Sequence, residues 1–320
     1  MELEYDQFQE AQKNFENKNF LSKTSNGVKE IKIEDNDYPE ILRKIAKPPK
    51  ILYYRGKFEK DELCFGVVGT RKCSLYGKQV ALDIVGKLAD LGITIVSGLA
   101  PGIDTFAHQA CVEKNKRTIA ILGTGLDEKS IYPQSNIALS RKILETGGCL
   151  ISELPPGTSG SKFTFPNRNR IISGLSQGVL VIEAKIKSGS LITANYAFKQ
   201  NRKVFAIPGP IYSSNSTGTN RLIKQGAKLV DNVSDILQEL NSPVLLQTGL
   251  PLEKHKQNYN GNLTPEEKLI IKALTEESLH IDKIIEKTKL IATTVASTLA
   301  VLEIEGIIQN LGGNVYALTR

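Results

Sequence analysis

The side chains in this 320-residue chain best suited to gripping an anion lie in Phe163-Thr-Phe-Pro-Asn-Arg-Asn-Arg-Ile-Ile-Ser-Gly-Leu-Ser176 and in the turns that follow several apolar runs. Arg168, Asn169 and Arg170 stand close to Phe163 and Phe165, just after Lys162, and give way to the helical spacing Ile171, Ile172, Leu175. Cationic and amide donors at a helix start suit phosphate, and aromatic rings offer faces on which bases stack. Gly69-Thr70-Arg71 follows an apolar run, where a turn exposes N–H groups and a guanidinium can fork onto phosphate. A turn glycine with a surface arginine would look the same. Ser97-Gly98, Gly123-Thr-Gly125 and Ser188-Gly189-Ser190 end further runs in the same way. Singly these are weak signals. Four such turns after four strands would build one crevice, lined by Arg71, Lys162 and Arg168.

Carboxylates give less. Asp104 precedes His108 by one helical turn, an acid–base spacing, but Asp104 is expected to cap a helix while His108 bonds to a neighbour. Glu183 ends an apolar run and is expected to pair with Lys185 or an arginine rather than to catalyse.

Charge follows the same map. Net charge is +7 with a pI near 9.0, which favours an anionic partner. Residues 1–40 carry ten acids and five bases, and residues 263–320 eight acids and six bases, so the middle is strongly basic. From Gly160 to Lys203 there are eight basic residues against Glu183 alone. Cys64, Cys73, Cys111 and Cys149 form no C-x-x-C pair, and with three histidines they predict reduced thiols and no metal. The acidic, polar N-terminus and the lack of any 18-residue apolar run predict a cytoplasmic protein without membrane insertion.

Positioning such turns calls for a regular scaffold. Apolar runs at Phe65–Val68, Ile93–Ser97, Thr118–Leu122, Cys149–Ile151, Gly178–Ile182, Val204–Ile207 and Leu229–Val230 alternate with helical periods. The helices are expected at Lys78–Leu91, Thr105–Lys114, Asn136–Glu145, Asn169–Leu175, Leu191–Gln200 and Asn220–Gln225. This is an α/β pattern, a doubly wound parallel sheet with ligands at the strands' carboxyl ends. Residues 1–30 read as a polar tail or partial helix, and 31–240 as the main domain, entered through a lead-in with a short helix after Asp37-Tyr-Pro. Residues 241–262 read as a linker. In 263–320, three helices and a hairpin at Gly312-Gly313 predict a small winged helix. Its third helix, Thr293–Glu305, has no Lys or Arg, so packing or protein contact is expected of it rather than groove reading.

Several stretches resemble the DprA/Smf family of DNA-processing proteins. They are Gly66-Val-Val-Gly-Thr-Arg71, Ser97-Gly-Leu-Ala-Pro-Gly-Ile-Asp104, Phe165-Pro-Asn-Arg-Asn-Arg-Ile-Ile172, Ser188-Gly-Ser-Leu-Ile-Thr193, Ala206-Ile-Pro-Gly209 and Leu222-Ile-Lys-Gln-Gly-Ala227. The resemblance covers roughly Ile31 to Leu237 and implies an extended Rossmann-like domain. It implies a homodimer that binds single-stranded DNA and loads a RecA-type recombinase in natural transformation. A single-strand-binding protein is a further candidate partner. DNA contacts would fall on Arg71, Lys162 and Phe165, and self-association on Asn220 to Leu229, with Ile223 and Leu229 as candidates. The family often has arginine where this chain has Pro101, and its N-terminal helical domain is mostly missing here.

The reading is therefore a non-enzymatic single-strand binder without cofactor. Its nucleic-acid site would comprise Gly69, Thr70, Arg71, Ser97, Gly98, Lys162, Phe165, Arg168, Asn169, Arg170, Ser188 and Gly189, and its dimer interface Asn220, Ile223 and Leu229. Two alternatives stand beside it. A nucleotide phosphoribohydrolase resembles P-G-G-x-G-T-x-x-E, but Ser188-Gly-Ser-Leu-Ile-Thr-Ala194 has no matching glutamate. A winged-helix transcription regulator would need cations on its third helix.

Overall fold

Strand residues that are apolar on every position need cover on both faces, and the chain supplies it with helices on either side of one sheet. The computed structural model describes residues 27–240, 263–275 and 277–318, and the chain divides into two compact units, Met1–Leu250 and Pro251–Arg320. The expected N-terminal tail falls almost wholly, and the expected linker wholly, outside the described residues.

The first unit runs β1 (Lys29–Lys32), α1 (Glu40–Arg43), β2 (Ile51–Gly56), β3 (Cys64–Val68), α2 (Leu75–Asp90), β4 (Thr94–Ser97) and α3 (Ile103–Val112). Then come β5 (Thr118–Leu122), α4 (Ile137–Glu145), β6 (Cys149–Ser152), α5 (Thr164–Leu175), β7 (Gly178–Val181) and α6 (Gly189–Lys199). It finishes with β8 (Lys203–Ala206), α7 (Thr217–Lys224), β9 (Lys228–Leu229) and α8 (Val233–Leu240). The nine strands form one sheet in the order β1-β2-β6-β5-β4-β3-β7-β8-β9. From β6 to β9 every pairing is parallel, whereas β1 on β2 and β2 on β6 are antiparallel.

Two-residue alternation sends side chains to the two faces. In β3, Cys64 and Val68 pack with Ile171, Ile172 and Leu175 of α5, while Phe65 and Val67 pack with Ala81, Val85 and Leu88 of α2. All four cysteines are free thiols, with Cys64, Cys111 and Cys149 buried.

Three local features depart from the pattern in the sequence. The lead-in, expected to hold only a short helix, also forms β1 and β2, which extend the sheet beyond β6. α8 was not anticipated: its apolar Ile236, Leu237 and Leu240 pack beneath α2. α5 begins at Thr164 rather than Asn169, because Pro166 sits within its first turn, where an N–H has no helical acceptor.

The second unit contains α9 (Pro265–Leu274), β10 (Leu279–His280), α10 (Ile281–Thr288), α11 (Ala292–Ile304), β11 (Ile308–Gly312) and β12 (Val315–Leu318). α9 opens on a capping box: Thr264 Oγ1 accepts from the Glu267 N–H at 3.2 Å, and the Thr264 N–H donates to Glu267 Oε2 at 2.7 Å. Ile270, Leu274, Ile284, Val295, Leu299 and Ile308 close a small core. With the three-stranded sheet β10-β12-β11, this is a winged helix. Among the described residues no helix is long and apolar enough to cross a membrane.

Candidate nucleic-acid interface

From β3 the chain winds through β4, β5 and β6 on one side, then returns to lay β7 on the other. Connections that diverge from adjacent strands leave a crevice outside their carboxyl ends. Here it is a cavity of about 620 Å³, and its lining includes Gly69, Thr70, Arg71, Lys162, Phe165, Arg168, Asn169, Ser188 and Gly189. The turns after β3 and β7 are held together, since the Thr70 N–H donates to the Glu183 carbonyl at 2.7 Å.

Phe165 forms the apolar floor. It lies in the first turn of α5, against two glycines: a Cβ on Gly123 would sit 2.8 Å from its Cδ1, and one on Gly160 would sit 2.6 Å from its Cζ. The Gly123 turn is therefore a seat for the ring rather than an anion nest. Tyr132 tilts against Phe165 at 5.5 Å between centroids, and the Arg71 guanidinium lies 5.7 Å from the ring centre. Arg71 and Lys162 are both exposed. On the far side, Ser188 caps α6 by accepting from the Ser190 N–H, and Gly189 has open space where a side chain would stand.

Four expected contacts are instead turned inward. Ser97 is fully buried and its hydroxyl donates to the Val67 carbonyl at 2.7 Å. The Gly98 N–H donates to Asp104 Oδ2 at 3.1 Å and its carbonyl accepts from Arg168 Nη1 at 2.7 Å. Arg168 touches the cavity, but its guanidinium is buried and also donates to the Ile121 carbonyl. Arg170 is buried against Glu153, with Nη2 and Oε1 at 2.6 Å, and donates through Nε to the Lys47 carbonyl. The reason is that α5 is covered on more than one side. Residues two apart point about 200° from each other round a helix, so Arg168 turns to the carbonyls of the Gly98 turn and of β5, while Arg170 turns to the Lys47 carbonyl and Glu153. Asn169 lines the cavity while its amide donates to the Gly189 carbonyl at 3.3 Å, tying α5 to α6.

The carboxylates also differ from expectation. Asp104 does not cap α3, whose N-cap is Gly102 at φ +81°. It reaches back to brace the Gly98 turn instead. Burial lifts its carboxyl to about 6, against the pull of Arg168 and of backbone N–H groups. Burial likewise draws Arg168 down to about 10 despite Asp104, so desolvation outweighs the attraction within the pair. Among the described residues Glu183 pairs with no cation: its carboxylate accepts from the Ser74 N–H at 2.9 Å and Ser74 Oγ at 2.6 Å, pinning the start of α2. His108 does bond to a neighbour, donating from Nδ1 to Thr118 Oγ1 at 2.9 Å, since that hydroxyl itself donates to the Ile95 carbonyl. Its Nε2 has no partner among the described residues, and burial followed by the Arg168 charge lowers its pKa to about 3.

Sequence reasoning left out Tyr132, Lys185 and Lys187, which also line the cavity. A signal for the two lysines was available. From Ala184 to Val230 the chain has eight Lys and Arg and not one Asp or Glu. Tyr132 carried no signal, because its place depends on the loop between β5 and α4. Of the residues expected at a dimer interface, Asn220 is bonded to both backbone groups of Gly209, at 2.9 and 3.2 Å. Ile223 is half-buried, and Leu229 is exposed on β9.

Fold and cavity define a class: a Rossmann-like sheet with a basic, aromatic-floored crevice at its switch point, in a chain that also carries a winged helix. Comparison with known proteins makes the assignment particular. The family described as DNA recombination-mediator protein A matches residues 29–241, and the DprA winged helix domain matches 257–314. This chain belongs to that family. It is 44% identical over 222 residues to the DNA processing protein DprA of Streptococcus pneumoniae, covering 68% of this chain and 77% of the relative. To Protein Smf of Escherichia coli it is 36% identical over 306 residues, covering 91% and 77%. Among solved structures it is similar to DprA from Streptococcus pneumoniae, with a TM-score of 0.61 at 42% identity over 66% of this chain and 74% of that one. DNA processing protein A from Helicobacter pylori, whose structure concerns a single-stranded DNA binding mode, gives a TM-score of 0.60 at 30% identity over 67% and 95%.

Proposed function

We propose that this protein binds single-stranded DNA without regard to sequence and loads a RecA-type recombinase onto it, as a cytoplasmic homodimer and without catalysing a reaction. One observation carries the reading: four exposed cations, Arg71, Lys162, Lys185 and Lys187, line one cavity together with the half-buried ring of Phe165. Cations of this kind hold a phosphate backbone of any sequence, and a ring recessed between glycines accepts a base only where that base is free of its complement. Asp104 lines the same cavity, but it is buried and bonded to the Gly98 turn. The Helicobacter pylori relative, described as a single-stranded DNA binder, supports the choice of ligand. Recombinase delivery and dimerisation rest on family membership. Asn220, Ile223 and Leu229 are the proposed interface.

Fluorescence anisotropy with oligo-dT and a matched duplex, across salt concentrations, tests the site. We expect preference for the single strand and affinity falling with salt. Arg71→Ala and Lys162→Ala should each weaken binding by about 1–3 kcal/mol, the range for charge-assisted bonds. Equal binding of both forms, or two variants that bind as tightly as the native protein, would refute the assignment.

A further inference from the structure

The connection from β8 to α7 ends in a tight turn, Pro210-Ile-Tyr-Ser213, closed by the Ser213 N–H donating to the Pro210 carbonyl at 3.0 Å. Turn tips favour Gly, Asn, Asp and Ser. This one presents Ile211 and Tyr212, which are 78% and 96% exposed. A local rule broken on the surface, with no packing gain, points to a task outside the fold.

The turn is anchored to the crevice at several points. Asn215 donates to the Lys72 carbonyl at 3.2 Å, one residue beyond Arg71, and its own carbonyl accepts from the Ala184 N–H at 2.7 Å, one residue before Lys185. Tyr76 Oη donates to the Pro208 carbonyl at 2.9 Å, which sets a second aromatic at the base of the same loop. No acid occurs from Gly69 to Leu82 or from Ala184 to Val230, and the carboxylate that immediately precedes the second segment, Glu183, is buried and takes its bonds from Ser74 and from Asn215 itself. A protruding aromatic tied to a cationic groove, with no carboxylate in either flanking segment, has the chemistry of a platform for unpaired bases.

We infer that Tyr212, with Ile211 beside it, is a second base-stacking site for single-stranded nucleic acid, engaged once the strand leaves the Phe165 cavity across Lys72. The inference rests on the reading of the cavity given above. A short strand fills the cavity alone, and a longer one reaches the turn and gains a stacked base. The backbone between them crosses exposed lysines.

Anisotropy with oligo-dT of about 4 and about 16 nucleotides, the span of site sizes for such binders, separates the two sites. Tyr212→Ala is expected to weaken the longer strand roughly tenfold, the effect of one lost base stack, and to leave the shorter unchanged. Tyr212→Phe is expected to restore the longer strand, and a long abasic strand should bind the native protein and Tyr212→Ala equally. Thermal unfolding checks that the variants remain folded. If Tyr212→Ala binds the longer strand as the native protein does, while Arg71→Ala weakens both lengths, the second site is refuted and the cavity stands. If Arg71→Ala weakens neither, the cavity reading fails and this inference with it. A Tyr212→Ala variant with intact DNA affinity that no longer assembles with a recombinase would overturn the inference in favour of protein docking.

Discussion

Arg71 and Arg168 both line the cavity, yet the first meets solvent and the second is enclosed by the Gly98 and Ile121 carbonyls. Substituting an exposed arginine and a buried one should therefore separate binding from stability. Arg71→Ala is expected to melt within about 0.5 kcal/mol of the native protein, as exposed substitutions do. Arg170→Ala, which removes the guanidinium paired with the buried Glu153 carboxylate, should cost about 3–5 kcal/mol in urea unfolding. A native-like midpoint for Arg170→Ala would contradict the buried pair. Nothing in the run Arg-Asn-Arg announces this burial. Tertiary cover on more than one side of α5 decides it, and that cover comes from segments distant in sequence, Gly98 and Ile121 for Arg168 and Lys47 and Glu153 for Arg170. Two buried groups on α3 also make acid stability legible. Folded His108 resists protonation until about pH 3 whereas its unfolded value is 6.5, so its contribution is lost as pH falls through that window. Asp104 works in reverse: the folded carboxyl keeps its proton up to about 6 against 3.8 unfolded, so its contribution is lost as pH rises between those values. Each slope is about 1.4 kcal/mol per pH unit, and between about pH 4 and 6 they oppose. Asp104→Asn should steepen the loss on acidification, and His108→Gln should turn the slope over. Parallel stability–pH curves for all three proteins would dispose of this account.

At the scale of elements, the strand-end turns do different jobs that their similar sequences conceal. Gly69 is packed against α3, where a Cβ would lie 2.4 Å from Ile103 Cγ1, and Gly123 seats Phe165, whereas Gly189 opens onto the cavity. Gly123→Ala is expected to displace the ring and weaken oligo-dT binding several-fold with little change in salt dependence, because no phosphate contact is removed. An unchanged affinity would show that the ring's seat is not what aligns it. The strands were legible because central parallel strands are apolar on every residue. Thr118–Leu122 has the same bounds in sequence and structure. β1 and β2 were not, since β1 is a four-residue edge strand of mostly exposed polar side chains and β2 is mostly half-buried with only Leu52 enclosed, so neither has the continuous apolar run of the central strands.

For the whole molecule, basic charge belongs to the sheet-bearing unit, while α11 of the winged helix carries no Lys or Arg and exposes Val301 and Ile304. A chain ending at residue 250 is expected to bind oligo-dT with native affinity. A loss greater than about tenfold would assign the winged helix a share of the DNA. The margin of the sheet bears on assembly. β9 is two residues long and begins with Lys228, so it offers a neighbouring chain at most a rung or two of backbone ladder. Such a margin resists runaway strand addition. Two copies meeting there could not fuse their sheets into one continuous ribbon. Cohesion would have to come from side chains such as Ile223 and Leu229, leaving a joint that dilution parts reversibly and that a single polar replacement should abolish.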